Sequence, residues 1–158
     1  RSSDLKCVDA CDASDGCLGN TCDSATDVIV AASGTTTITG NRAAYLNSWS
    51  AENRAGCNLQ VDEQPGPTVG PDFVIRVPDM AKDSTLTLSA ENPLNEGVYA
   101  FFIVDSCAAV GCLAAGSFDE NTDNQLKYVV PNNGDVLVRV EALGNMDRFF
   151  AIDVSVTQ

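Results

Sequence analysis

Apolar residues return at every second position in short segments along this chain, the period of half-buried β-strands and not of helices. Phe73, Ile75 and Val77 alternate with Val74 and Arg76 until Pro78 ends the run. Leu86 and Leu88 point one way while Thr85, Thr87 and Ser89 point the other, so one face meets a core and the other meets water. Val136, Val138 and Val140 oppose Leu137, Arg139 and Glu141. Phe150, Ile152, Val154 and Val156 oppose Phe149, Ala151, Asp153 and Ser155. Residues 98–104 are apolar on both faces, which predicts a strand central in its sheet, covered by the other sheet on one side and by a loop on the other. Residues 26–31 and 35–39 predict a hairpin around Ser33 and Gly34. With 125–130 the count reaches about eight strands, separated by turns such as Pro131-Asn132-Asn133-Gly134. The expected fold is all-β, an antiparallel β-sandwich, with helix confined to a turn or two near 43–49 or 108–114.

At 158 residues the chain suits one sandwich, here 20–158, preceded by a Cys-rich N-terminal arm at 1–19 that has little to bury. A second long loop, 47–71, carries Pro65-Gly66-Pro67, and loops of that length are the first place to look for partner contacts. No apolar run approaches the ~18 residues that span a bilayer. The sequence starts at Arg1 with no apolar leader, which fits a processed export signal and equally a trimmed terminus.

The formal charge of −13, from 22 acidic and nine basic residues, repels phosphate backbones and anionic lipid, so neither nucleic acid nor direct membrane insertion is expected. Seven cysteines in a chain of this length point to an oxidising compartment, hence a secreted or cell-surface protein. There is no Cys-x-x-Cys pair, and the absence of histidine excludes every mixed Cys/His zinc site. It also excludes Ser-His-Asp and Cys-His nucleophilic machinery, and no Gly-x-Ser-x-Gly elbow or phosphate-binding glycine loop is present. A glycosidase-type carboxylate pair stays open only because acids are plentiful, and no single acid stands out. No enzyme is expected.

From Asn20-Thr21-Cys22 onward, the order of features resembles the bacterial pre-peptidase C-terminal domains, in the form found in secreted proteins of delta-proteobacteria. The similarity runs through the isolated Cys57, Gly70-Pro71-Asp72 opening the strand to Pro78, and the Thr/Leu alternation of 85–89. It continues with the strand ending in Asp105-Ser106-Cys107, the acidic turn 119–123, and the two last strands. The resemblance implies a jelly-roll-like sandwich with binding or stabilising roles, calcium in some relatives, and disulfides Cys22–Cys57 and Cys107–Cys112. Cys7, Cys11 and Cys17 then hold one further pair and one odd thiol, which is either free or bonded to another molecule.

Two acidic clusters have the chemistry of a hard-cation site: Asp119, Glu120 and Asp123, and Asp9, Asp12 and Asp15. The solvated turn is the favoured reading of each, and the every-third spacing of Asp9, Asp12 and Asp15 departs from an EF-hand; Ca2+ is the one cofactor the sequence raises. Trp49 and Tyr45 have the surface chemistry to stack on a sugar ring, or anchor the core. The expected role is a non-catalytic extracellular structural protein, a self-assembling cell-surface or fibre subunit whose arm contacts a neighbour and whose free sheet edges accept a strand. The alternative is a calcium-stabilised carbohydrate- or protein-binding module of a secreted protein.

Overall fold

The computed structural model describes residues 25–41, 55–57, 72–90, 98–106, 111–118, 125–143 and 149–158. Among these residues nine strands follow one another: β1 Thr26–Asp27, β2 Gly34–Asn41, β3 Asp72–Met80, β4 Thr85–Ser89, β5 Val98–Val104, β6 Ala114–Phe118, β7 Leu126–Val129, β8 Gly134–Leu143 and β9 Phe149–Thr157. They form a five-stranded sheet ordered β1-β3-β8-β5-β6 and a four-stranded sheet ordered β2-β9-β4-β7. The two sheets face each other as a β-sandwich, as the alternation predicts.

Period two places the core residues in matching rows. Phe73, Val140 and Phe101 lie in one row across β3, β8 and β5, and Ile75, Val138 and Ile103 in the next. From the opposite sheet come Leu86, Leu88, Ile152, Val154 and Val156, and all of these side chains are buried in one cluster. Burying each large side chain stabilises the fold by about 1.5–3 kcal/mol against leaving it in water.

The expected hairpin at 26–39 does not form. Thr26 and Asp27 pair in parallel with Ile75 and Arg76 of β3, whereas β2 pairs antiparallel with β9 in the other sheet. Val28 enters the core and Val30 packs against it, so the alternation there records a segment crossing between sheets. Period two reports which side chains turn inward, and a crossing does this as well as a hairpin.

The strand the alternation does not reveal is β6, Ala114-Ala115-Gly116-Ser117-Phe118. Of the helical turn expected near 108–114, the described residues 111–114 form none, since Gly111 bridges to Ala55 and Ala114 opens β6; the one expected near 43–49 lies outside the described residues. At Gly116 the small size has a physical cause: a methyl there would sit 3.3 Å from the Leu126 side chain, because β6 packs against β7 at that corner.

Two crossings between the sheets run side by side at one end. The β3–β4 link is tied to the 131–134 turn by Lys82 N–H donating to Asn133 Oδ1 at 2.7 Å and Asp83 N–H donating to the Val130 carbonyl at 2.8 Å. Pro78, which has no N–H to give, sits in a register shift between Val77 and Met80. The next residue, Asp79, adopts φ 54° and donates its N–H to Asp135 Oδ1 at 3.1 Å. Aspartate tolerates this left-handed geometry better than most side chains.

Candidate functional site at an open sheet edge

The outward face of β5 is buried, as expected for a strand covered on both sides. Ala100 and Phe102 lie under a small cluster containing Cys57, Cys112 and Ala115. Cys57 is disulfide-bonded to Cys112, with Cα atoms 5.0 Å apart across 55 residues. This bond corrects both pairings implied by the resemblance, since Cys57 is not joined to Cys22, nor Cys112 to Cys107. The reason is that β5 and β6 need a lid over their outer face, and residues 55–57 supply it. Ala55 and Gly111 form a parallel bridge there, and Cys112 N–H donates to the Ala55 carbonyl at 2.8 Å. The approach leaves no room for side chains. A methyl at Gly56, whose φ is 73°, would run into the Cys112 carbonyl oxygen, and one at Gly111 would lie 2.6 Å from that of Ala55.

Beside this lid, on the same outward face, Asp72 of β3 stands opposite Glu141 of β8. Two adjoining carboxylates are the arrangement a glycosidase uses, but these are 2% and 0% exposed, so no substrate reaches them from solvent. Sequence reading did not single them out: Glu141 occupies an outward position in an alternating strand, where exposure is the ordinary outcome.

The four-stranded sheet has the opposite character. Its outward face carries Thr35, Thr37 and Thr39 on β2, Asp153 and Ser155 on β9, and Thr85 and Thr87 on β4. Thr37 Oγ1 donates to Asp153 Oδ1 at 2.5 Å, and the Thr35 and Ser155 hydroxyls share a hydrogen bond of 2.7 Å. This hydroxyl row holds β2 onto β9 from outside while Ile38, opposite Ile152, packs against the core from inside.

Among the described residues four strands end the two sheets, and three of them are guarded. β1 is two residues long, and its Asp27 carboxylate accepts a hydrogen bond from Arg76 Nε at 2.6 Å. That contact holds the Asp27 carboxyl below the usual carboxylate range and the guanidinium above its own. β7 is four residues long and carries the exposed Lys127. β6 packs against β7. β2 differs: eight residues, Gly-Thr-Thr-Thr-Ile-Thr-Gly-Asn, without a charge or a proline. Among the described residues β9 is its one strand partner, so every second residue turns its backbone N–H and C=O away from the sheet. Thr35, Thr37 and Thr39 are exposed, and the neighbouring Ile29, whose carbonyl accepts the Thr36 hydroxyl at 2.9 Å, is 70% exposed.

No protein-family model matches the chain, and no curated protein matches it. One solved structure is similar. It is the crystal structure of Aeromonas hydrophila PliG, a periplasmic lysozyme inhibitor of g-type lysozyme, at 12% identity and a TM-score of 0.43. The match covers 83% of this chain and 96% of that one. Inhibition of lysozyme is a property of that protein. The resemblance to pre-peptidase C-terminal domains rests on the residue pattern quoted above.

Of the residues singled out from sequence, Cys57 and Cys112 come together in the lid. Cys7, Cys11, Cys17, Cys22 and Cys107 lie outside the described residues. So do both acidic clusters, Asp119, Glu120 and Asp123 and Asp9, Asp12 and Asp15, and the aromatic pair Tyr45 and Trp49. Among the described residues no three acidic or sulfur side chains gather as a metal site, and no helix is long and apolar enough to cross a membrane. What sequence reading missed is the particular edge. The charge-free, proline-free run of 34–41 in so acidic a chain is a visible signal, but position at a sheet margin comes only from the strand order.

Proposed function

We propose that the chain is a non-catalytic structural domain of an extracytoplasmic protein, and that it joins an assembly by strand addition at the open edge of β2. The observation that carries this reading is the eight-residue, neutral margin of β2, which has no strand partner but β9 among the described residues, where the other three sheet margins are guarded. Folded proteins blunt such margins with charge, proline or short strands, and one left plain is a template for another strand. The Cys57–Cys112 bond supports an oxidising compartment.

The direct test is on protein taken from its natural source. Cross-linked mass measurement is expected to recover it in a particle larger than one chain. Amide exchange at 35–39 is expected to be slower in that particle than in the purified chain. Native material that is monomeric, with equal exchange in both states, would sink the proposal.

A further inference from the structure

We infer that the strand added to β2 is β2 of a second copy, running antiparallel with Thr37 opposite its own equivalent. This rests on the strand-addition reading above and names its partner.

The first argument is electrostatic. Two chains of charge −13 repel, so copies approach most cheaply where neither carries charge. Gly34–Asn41 is such a place, and Ile29 beside it offers apolar surface that a second copy would remove from water. A basic partner would be drawn instead to a charged margin, and β2 has none.

The second argument is self-complementarity. A two-fold contact must bring one patch against itself. Directly opposed residues in a sheet share a face, so the pairing must match odd positions with odd and even with even. Centring on Thr37 meets that condition and sets Thr35 across from Thr39 of the copy, which carries the exposed threonine row over the seam. Thr36 then faces Ile38 of the copy on the inner side. Thr–Thr and Thr–Ile neighbours are favourable cross-strand pairs. The two four-stranded sheets become one sheet of twice the width. A strand-to-strand seam is smaller than the ~1,200 Å² of stable interfaces, so the pair is weak and forms at high concentration.

Sedimentation equilibrium of the purified chain, at rising concentration and at two salt levels, tests this. Because like-charged copies must meet, dimer formation is expected to strengthen several-fold from low salt to about 0.3 M, the reverse of binding to a basic partner. Two variants at exposed positions test the register. Thr35→Lys with Thr39→Glu leaves net charge unchanged, sets Lys against Glu twice, and is expected to tighten the dimer about tenfold or less. Thr35→Lys with Thr39→Lys lowers the net repulsion yet sets Lys against Lys twice, and is expected to weaken it by a similar factor. Thermal melts matching the parent show that both variants fold. A purified chain that stays monomeric at every concentration and salt level, while native material is assembled with slow exchange at 35–39, would overturn the second copy and leave strand addition standing. Dimers that both variants change in the same direction would overturn the register.

Discussion

Around the lid, single atoms decide whether the chain closes. The carbonyl oxygens of Ala55 and Cys112 occupy the space that side chains at Gly111 and Gly56 would need, and φ 73° at Gly56 is itself costly for any other residue. Gly56→Ala is expected to lose about 2 kcal/mol or more in urea unfolding. A loss under about 0.5 kcal/mol, the ordinary range for surface changes, would mean that residues 55–57 do not sit so tightly on 111–112. Closing 55 residues with the disulfide restricts the unfolded chain by about 4 kcal/mol on the loop-entropy argument, so replacing Cys57 and Cys112 together by serine should cost on that order. At the other margin, Arg76 keeps Asp27 ionised to lower pH than usual. A depressed carboxyl contributes stability above its unfolded value, near 3.8, and the contribution fades as pH falls through the lower folded value. Asp27→Asn should therefore melt below the parent at pH 7, with the gap closing in acid below pH 3.8. Both groups are exposed, so the gap is small and shrinks in salt. A gap independent of pH would show that the ion pair is not its source.

Among the elements, those with strong alternation were readable from sequence because one face of each meets the core. β3, β4, β8 and β9 fall where Phe73, Leu86, Val138 and Ile152 place them. Leu88 is fully buried between Val154 and Leu126, its partners on the flanking strands β9 and β7. Leu88→Ala should cost about 2–5 kcal/mol by chemical denaturation, and a cost under about 1 kcal/mol would contradict the two-layer core. Elements lacking that signal were hidden. β6 runs Ala-Ala-Gly-Ser before Phe118, with Leu126 crowding Gly116, so its sequence carries little apolar contrast. Val28 and Val30 alternate like a strand while crossing between layers. The disulfide partner of Cys57 was equally hidden, since pairing follows from which loops meet over Phe102 and not from distance along the chain. Of the candidate site, the strand itself was legible in Thr35–Thr39, but its place at a margin was not, because strand order is a non-local property.

At the scale of the whole molecule, the strand order joins distant parts of the chain. Gly34 of β2 pairs with Val156 of β9, and the hydrogen bond between Thr35 and Ser155 spans 120 residues. β9 also pairs with β4, so it lies between two strands that have no other link to each other in that sheet. Deleting residues 149–158 should therefore abolish the cooperative thermal transition and not merely lower its midpoint. A truncated chain that still melts sharply would show the five-stranded sheet to be self-sufficient. This wiring also sets a schedule for biosynthesis. The threonine-rich second strand, once made, waits without its neighbour for more than a hundred residues of further synthesis. Closure of that layer is postponed until the ninth strand has been made, so its hydrogen-bond ladder is a non-local one that can zip up only after its two halves have been brought together from far apart in the chain.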